Sequence, residues 1–314
     1  MIRKIAVIDL GTNTFHLLIA AVEGSKIQTL YRERKAVKIG KGGINEGFIT
    51  EAAQERALIA LQEFKEIIDH YQVDQVFATA TSAIRNAKNG GELAQKIYQQ
   101  TGIEVNIISG DEEAALIYYG VKKALDIGTE TSVVMDIGGG SVEFIVCNQE
   151  RVFFKGSFEI GAQRLLELFH YHDPILQEEI LKLDKYLEER LEPLLIAVKQ
   201  YKVKTLIGSS GTFDTLSDIY RASNQVAIPK DSLELPLPKE AYLAIYDDII
   251  HKNREERMLM PGMIEMRVEM IVVACCLISF VIEKLEIENI RVSSFALKEG
   301  VLYSIIDKLI HVRE

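Results

Sequence analysis

Val133-Val134-Met135-Asp136-Ile137-Gly138-Gly139-Gly140-Ser141-Val142-Glu143-Phe144-Ile145-Val146 decides the fold. An apolar, β-branched run ends in an aspartate, three glycines and a serine, and a second apolar run follows at once. Two short strands joined by a tight turn are the expectation. The glycines predict backbone at positive φ and a surface that a ligand can approach closely. Unpaired amides in such a turn form an anion-binding concavity. Asp136 and Glu143 bracket it with carboxylates that could hold a divalent metal, so the stretch reads as a phosphoryl site. A plain glycine hairpin without a ligand explains it about as well.

A second copy shifts that balance. Ile5-Ala6-Val7-Ile8-Asp9-Leu10-Gly11-Thr12-Asn13-Thr14-Phe15-His16-Leu17-Leu18-Ile19-Ala20 also reads strand, aspartate, glycine turn, strand. Asp9 and Asp136 stand 127 residues apart, and at that offset Gly11 falls on Gly138, Asn13 on Gly140, Thr14 on Ser141 and His16 on Glu143. Two halves facing each other across a cleft, each with one phosphate-binding hairpin, are the expected architecture.

The rest of the chain fits such a pair. With 314 residues, two domains are the natural prior, and 48% hydrophobic content beside 26% charge supplies a sizeable core. A net charge of −10 argues against a general nucleic-acid surface, so a polyanionic ligand needs locally concentrated cations. The three cysteines, Cys147, Cys275 and Cys276, fall in apolar segments without zinc spacing, which predicts buried free thiols in a reducing compartment. The start Met1-Ile2-Arg3-Lys4 makes a poor signal peptide, because Asp9 and Gly11 interrupt the apolar run. The twelve residues Ile271–Ile282 are too short for a bilayer and fit a buried helix. A cytoplasmic protein without membrane or nucleic-acid partners is expected.

In chain order, Tyr31–Gly43 carries five cationic side chains against one Glu: a solvated third strand, or a basic approach for a polyanion. Thr50 caps a helix to about Tyr71 with Ala57, Leu61, Phe64 and Ile68 on one face. A strand over Val73–Ala78 leads to Thr79-Ala80-Thr81-Ser82, which suits either a helix cap or an anion, and to Arg85. Ser109 and Glu112 fit a capping box at the start of a helix striped by Ala114, Ile117, Val121 and Leu125. One of Glu112 and Glu113 could instead face the cleft as a base for water. Gly156–Gly161 leads to a helix near Ala162–Phe169, and Ile175–Tyr201 reads as one or two amphipathic helices. Lys204–Ile207 is a strand ending in Gly208-Ser209-Ser210-Gly211-Thr212, a turn into a helix whose N-terminus could take phosphate. A proline-rich loop follows from Pro229 to Pro238, then helices at Lys239–His251 and Leu297–His311 around a strand at Ile290–Ser293. The sequence lacks a G-x-x-x-x-G-K-[ST] loop and a G-x-G-x-x-G fingerprint.

Asp9–His16, Ser109–Ala114, Asp136–Glu143 and Gly208–Thr212 stand in an order that resembles the exopolyphosphatase/guanosine pentaphosphate phosphatase family, and Leu297-Lys298-Glu299-Gly300-Val301-Leu302 resembles its closing motif. The resemblance implies an α/β, actin-like ATPase fold, shared with sugar kinases and heat-shock ATPases. Two RNase H-like domains would enclose the cleft: residues 1–123 with the last helix, about 297–314, and residues 124–296. It implies hydrolysis of the terminal phosphate of inorganic polyphosphate, assisted by Mg²⁺ or another divalent cation. By the family's motif Glu113 would be the base. Asp136 and Glu143 would hold the metal, with Asp9, and would orient the attacking water, which makes Glu143 catalytic too. Thr12, Asn13, Gly138, Gly139, Gly140 and Ser141, and the turn residues Gly208, Ser209, Gly211 and Thr212, would bind phosphate. Arg85 and Arg267 would neutralise its charge, with Arg254 and Arg257 as neighbours able to replace Arg267. Long members carry a helical extension after the core, whereas this sequence stops at Glu314, which implies a short form that holds long polymers weakly. A phosphatase for guanosine pentaphosphate on the same site, and a sugar kinase or nucleotide-binding module of the same fold, are the alternatives. A homodimer is the oligomer considered.

Overall fold

The computed structural model describes residues 2–24 and 26–311. Met1 and residues 312–314, which the reading above placed at the start and in the last helix, lie outside the described residues. The chain forms two compact units, one from the residues up to Gly120 with the segment from Leu297, the other Val121–Ala296.

Unit 1 opens with the meander β1 (Arg3–Leu10), β2 (Thr14–Glu23) and β3 (Lys26–Ala36), followed by α1 (Glu51–His70), β4 (Gln75–Ala80), α2 (Ser82–Asn86), α3 (Gly90–Thr101), β5 (Val105–Ile107) and α4 (Gly110–Ala124), which runs on across the unit boundary. Its sheet order is β3-β2-β1-β4-β5, antiparallel across β3-β2-β1 and parallel across β1-β4-β5. Ile5 to Ile8 are wholly buried, as a central strand covered on both faces requires. β3 alternates exposed and half-buried residues at the sheet edge. Its charges are solvated or locally paired, Lys35 with Glu33 and Glu63 and Arg32 with Glu299, and such charges blunt an open edge. The strand stops at Ala36 rather than reaching residue 43, because the amides of Val37 and Lys38 turn back to the Asn13 carbonyl. Thr50 caps α1 as expected, accepting from the Ala53 amide at 3.3 Å. The helix α3 escaped the sequence reading; it starts on two glycines, and buried Leu93 and Ile97 hold it.

Unit 2 contains β6 (Ser132–Ile137), β7 (Val142–Cys147), β8 (Val152–Phe158), α5 (Ala162–Phe169), α6 (Gln177–Arg190), α7 (Glu192–Val198), β9 (Thr205–Ser209), α8 (Ser210–Asn224), β10 (Glu234–Leu235), α9 (Lys239–His251), α10 (Arg254–Met258), α11 (Met270–Lys284) and β11 (Asn289–Ser293). Its sheet runs β10-β11-β9-β6-β7-β8. Apart from the short antiparallel β10, the order is again third, second, first, fourth, fifth strand, with the same directions. That RNase H-like order, present twice, is the actin-like fold. β8 was also missed from sequence, because Lys155 and Gly156 interrupt its apolar pattern; its ladder with β7 holds it instead. The apolar residues of α11 are buried, and no described helix is long and apolar enough to cross a membrane. Finally α12 (Leu297–His311) packs on β1 and β2 of unit 1.

Candidate active site

The two glycine turns carry the offset of 127 into the backbone. Asp9 pairs with His16 in the first hairpin as Asp136 pairs with Glu143 in the second. Gly11 N donates to Thr14 O at 3.2 Å, and Gly138 N to Ser141 O at 3.0 Å. Each turn is then braced by the segment after the third strand. In unit 1, Gly40 N donates to Thr12 O at 3.2 Å, and Val37 N and Lys38 N donate to Asn13 O at 3.0 and 2.9 Å. In unit 2, Ala162 N and Gln163 N reach the carbonyls of Gly138 and Gly139 at 2.9 Å each, while Gly140 O takes Gly161 N at 3.2 Å and Arg164 Nε at 2.8 Å.

A trans peptide points its carbonyl and the following amide in opposite directions. Fixing these carbonyls therefore turns the amides of Gly139, Gly140 and Ser141 together away from α5. Three amides with one aim make an anion cradle. None of Gly138, Gly139 and Gly140 sits at positive φ, contrary to the expectation. The close approach falls on Gly161 instead: a Cβ there would stand 2.4 Å from Gly139 C and Gly140 N, so the backbone after β8 can pack on the turn only as glycine.

Around the second turn, Glu143 is 1% exposed and its Oε1 accepts from both Ser141 Oγ and Ser157 Oγ at 2.7 Å. Asp136 Oδ2 accepts from the buried Ser209 Oγ at 2.6 Å. Ser209 ends β9 beside Asp136, and Thr212 lies buried in the first turn of α8. Gly208 is placed elsewhere than expected. It belongs to the β9 ladder between Met135 and Val292, so its backbone serves the sheet rather than the turn.

In unit 1 the structure separates the two candidate glutamates. Glu112 is exposed, with its amide on Ser109 Oγ at 3.2 Å, the cap half of the expected box. Glu113 is buried and forms an ion pair with Arg85 Nη1 at 2.7 Å. The same Nη1 donates to Ile108 O at 3.2 Å, so Arg85 orients this carboxylate as well as carrying charge.

The three neighbouring arginines also part company. Arg257 is 1% exposed and grips Asp173 through Nη1 and Nη2 at 2.6 and 3.2 Å, which removes it as a phosphate ligand. Burial alone would push the Asp173 carboxyl up, yet the bonds from Arg257 and from the Arg254 amide hold it below its usual range. Arg254 itself faces Glu265 and Glu269. Arg267 lies on the turn into α8: a Cβ on Gly211 would fall 2.1 Å from its Nη2, so the glycine opens the space the guanidinium fills.

Asp136 and Glu143 share unit 2, Asp9 belongs to unit 1, and among the described residues no group of three His, Cys, Asp or Glu forms a metal cage. Mg²⁺ is held by one or two carboxylates completed by substrate oxygens and water, and a carboxylate beside an amide cradle fits that donor set. Cys147, Cys275 and Cys276 are free and buried; burial pushes Cys147 and Cys276 up to about 12, which makes them poor nucleophiles. Two contributors escaped the sequence reading. Ser157 stands opposite Glu143 on the unassigned β8. Arg164 sits in the first turn of α5, where the helix dipole disfavours a cation, and that mismatch was a usable signal.

The model of the Ppx/GppA phosphatase family matches residues 18–309. The chain belongs to the Ppx/GppA phosphatase family. Among solved structures, an exopolyphosphatase from Cytophaga hutchinsonii is 42% identical, with 98% of each chain covered and a TM-score of 0.94. A Ppx/GppA enzyme from Aquifex aeolicus is 28% identical over 97% of this chain and 100% of its own, at a TM-score of 0.78. An exopolyphosphatase-like protein is 25% identical over 98% and 99%, at 0.87. As a Ppx/GppA phosphatase, the protein is a phosphoric anhydride hydrolase.

Proposed function

We propose that this phosphatase removes the terminal phosphate of inorganic polyphosphate. The observation that carries the substrate choice is its 42% identity, over 98% of both chains, to a protein described as an exopolyphosphatase. On this reading Glu113, held by Arg85, takes the proton of the attacking water. The water oxygen bonds to the terminal phosphorus, the bridging P–O bond breaks, and the shortened chain leaves with the electron pair. The amides of Gly139, Gly140 and Ser141 receive phosphate oxygens, and Arg267 with the α8 turn neutralises charge. Thr12 and Asn13 serve the corresponding turn of unit 1. Asp136 would hold a divalent cation such as Mg²⁺ together with phosphate oxygens, Glu143 bracing the turn through Ser141 Oγ, with Asp9 as the carboxylate at the equivalent position of the first turn; the cation supplies charge neutralisation. Three free buried thiols support a reducing, cytoplasmic setting.

Phosphate release measured side by side on short polyphosphate, long polyphosphate, guanosine pentaphosphate and ATP tests the proposal. Turnover of polyphosphate above the others is expected. Preference for guanosine pentaphosphate would move the assignment to the family's other activity. Turnover of ATP alone, with a sugar phosphorylated, would replace it with a kinase.

A further inference from the structure

The braces of the two turns differ in kind. Asn13 O is held by two neutral backbone amides. Gly140 O, its counterpart, is held by one amide at 3.2 Å and by Arg164 Nε at 2.8 Å. The same guanidinium is anchored through Nη2 to Glu159 Oε2 at 2.7 Å, and the Arg164 side chain is only 12% exposed against 42% for Glu159. A planar fork pinned at one nitrogen delivers another in a fixed direction, which a lysine does not reproduce.

That direction matters for the next amide. The Gly140–Ser141 peptide is planar, so a carbonyl fixed on Arg164 fixes the opposite aim of the Ser141 N–H. A charged donor on the carbonyl also polarises the peptide and strengthens the N–H as a donor. We infer that Arg164 is a positioning residue for phosphate, acting through the Gly140–Ser141 peptide, with Glu159 as its anchor. The inference rests on the phosphatase reading of the second turn and adds to it a residue that touches the turn rather than the reacting atoms.

The full-length protein and its Arg164→Gln, Arg164→Lys and Glu159→Gln variants test this. KM and kcat for phosphate release from short polyphosphate are measured, with calorimetric Kd values for orthophosphate and short polyphosphate and thermal melting beside them. Arg164→Gln should raise KM and both Kd values by roughly tenfold or more, the worth of a charged hydrogen bond, while kcat moves far less. Arg164→Lys should recover part of the affinity, and Glu159→Gln should weaken it less than Arg164→Gln. A fall in melting temperature with KM and Kd unchanged would overturn the inference, since bracing alone predicts that result. If Arg164→Gln does not fold, unchanged affinity in both other variants overturns it equally. A wild-type protein that binds polyphosphate without hydrolysing it defeats the functional reading, yet the affinity ratios still decide Arg164. A wild-type protein that binds no phosphate defeats both.

Discussion

The turn at residues 11–14 and the turn at residues 138–141 share a register, a closing hydrogen bond and a brace from the segment beyond the third strand. Their side chains diverge. Asn13 and His16 in the first become Gly140 and Glu143 in the second. The first is braced by a coil, the second by the N-terminus of α5 and an arginine. A duplicated ladder thus fixes the backbone of both turns and leaves the charges free to specialise. Unit 1 holds the Arg85–Glu113 pair; unit 2 holds Asp136 and Arg164 at the ends of its turn and Arg267 at the start of α8. On the proposed reading the first pair moves a proton, while Asp136 holds the cation and the two arginines serve phosphate.

The largest effect expected from this division is on Glu113→Gln, which should lower kcat by about 10²–10⁴ while substrate binding survives. Steady-state phosphate release with calorimetry would check it; full activity in that variant, with Glu112→Gln dead, would break the assignment. Next comes the pair set apart from the turn. Asp173→Asn strands the buried Arg257 and should cost about 3 kcal/mol in urea unfolding, with KM unchanged. Its pH dependence has a definite sign. The folded carboxyl is held below its usual value, so its stabilisation is present above pH ~4 and lost as pH falls through the folded value; the variant should lack that acid limb. A raised KM in Asp173→Asn would return Arg257 to the phosphate site.

Gly211→Ala should displace Arg267 and raise KM about tenfold, with a smaller change in kcat, if the guanidinium carries one charged phosphate contact. An unchanged KM would remove Arg267 from the comparison. The finest test compares equivalent positions. A Cβ on Gly11 would meet Thr14 O at 2.9 Å and one on Gly138 would meet Ser141 O at 3.0 Å. Gly11→Ala and Gly138→Ala should therefore differ in stability cost by less than ~0.5 kcal/mol, yet Gly138→Ala should raise KM more. Equal changes in KM would mean that the two turns bind phosphate alike.

Much of this was legible beforehand because it rests on local pattern. The offset from Asp9 to Asp136 gave both hairpins, apolar stripes gave α1 and α4, and the long apolar run Ile271–Ile282 gave α11. Three-dimensional neighbours settled what pattern could not. Spacing alone leaves Glu112 and Glu113 alike; the family resemblance favours Glu113, and burial against Arg85 separates it physically from its neighbour. Arg254, Arg257 and Arg267 were interchangeable on paper; Asp173, 84 residues from Arg257, claims one of them. β8 was hidden because its order comes from a partner strand rather than from its own alternation. The glycines of the second turn lack the positive φ expected of them, and the residue that must be small for close packing is Gly161, which nothing near the turn in sequence announces.

The route of the chain through unit 1 bears on how the protein is made. β1 and β2 leave the ribosome before unit 2, and α12, which packs on them, leaves after every strand of the second sheet. Unit 2 is one continuous segment and can close on itself once that segment is complete, whereas unit 1 must wait for α12, made after the whole of unit 2, with a face of its sheet uncovered. A chain truncated after Ala296 and released should therefore show unit 2 resistant to protease and the β1–β2 hairpin still open to chaperones. Translation that pauses late would prolong that exposure, and translation that ends early would leave a chain with one finished half and one that cannot mature.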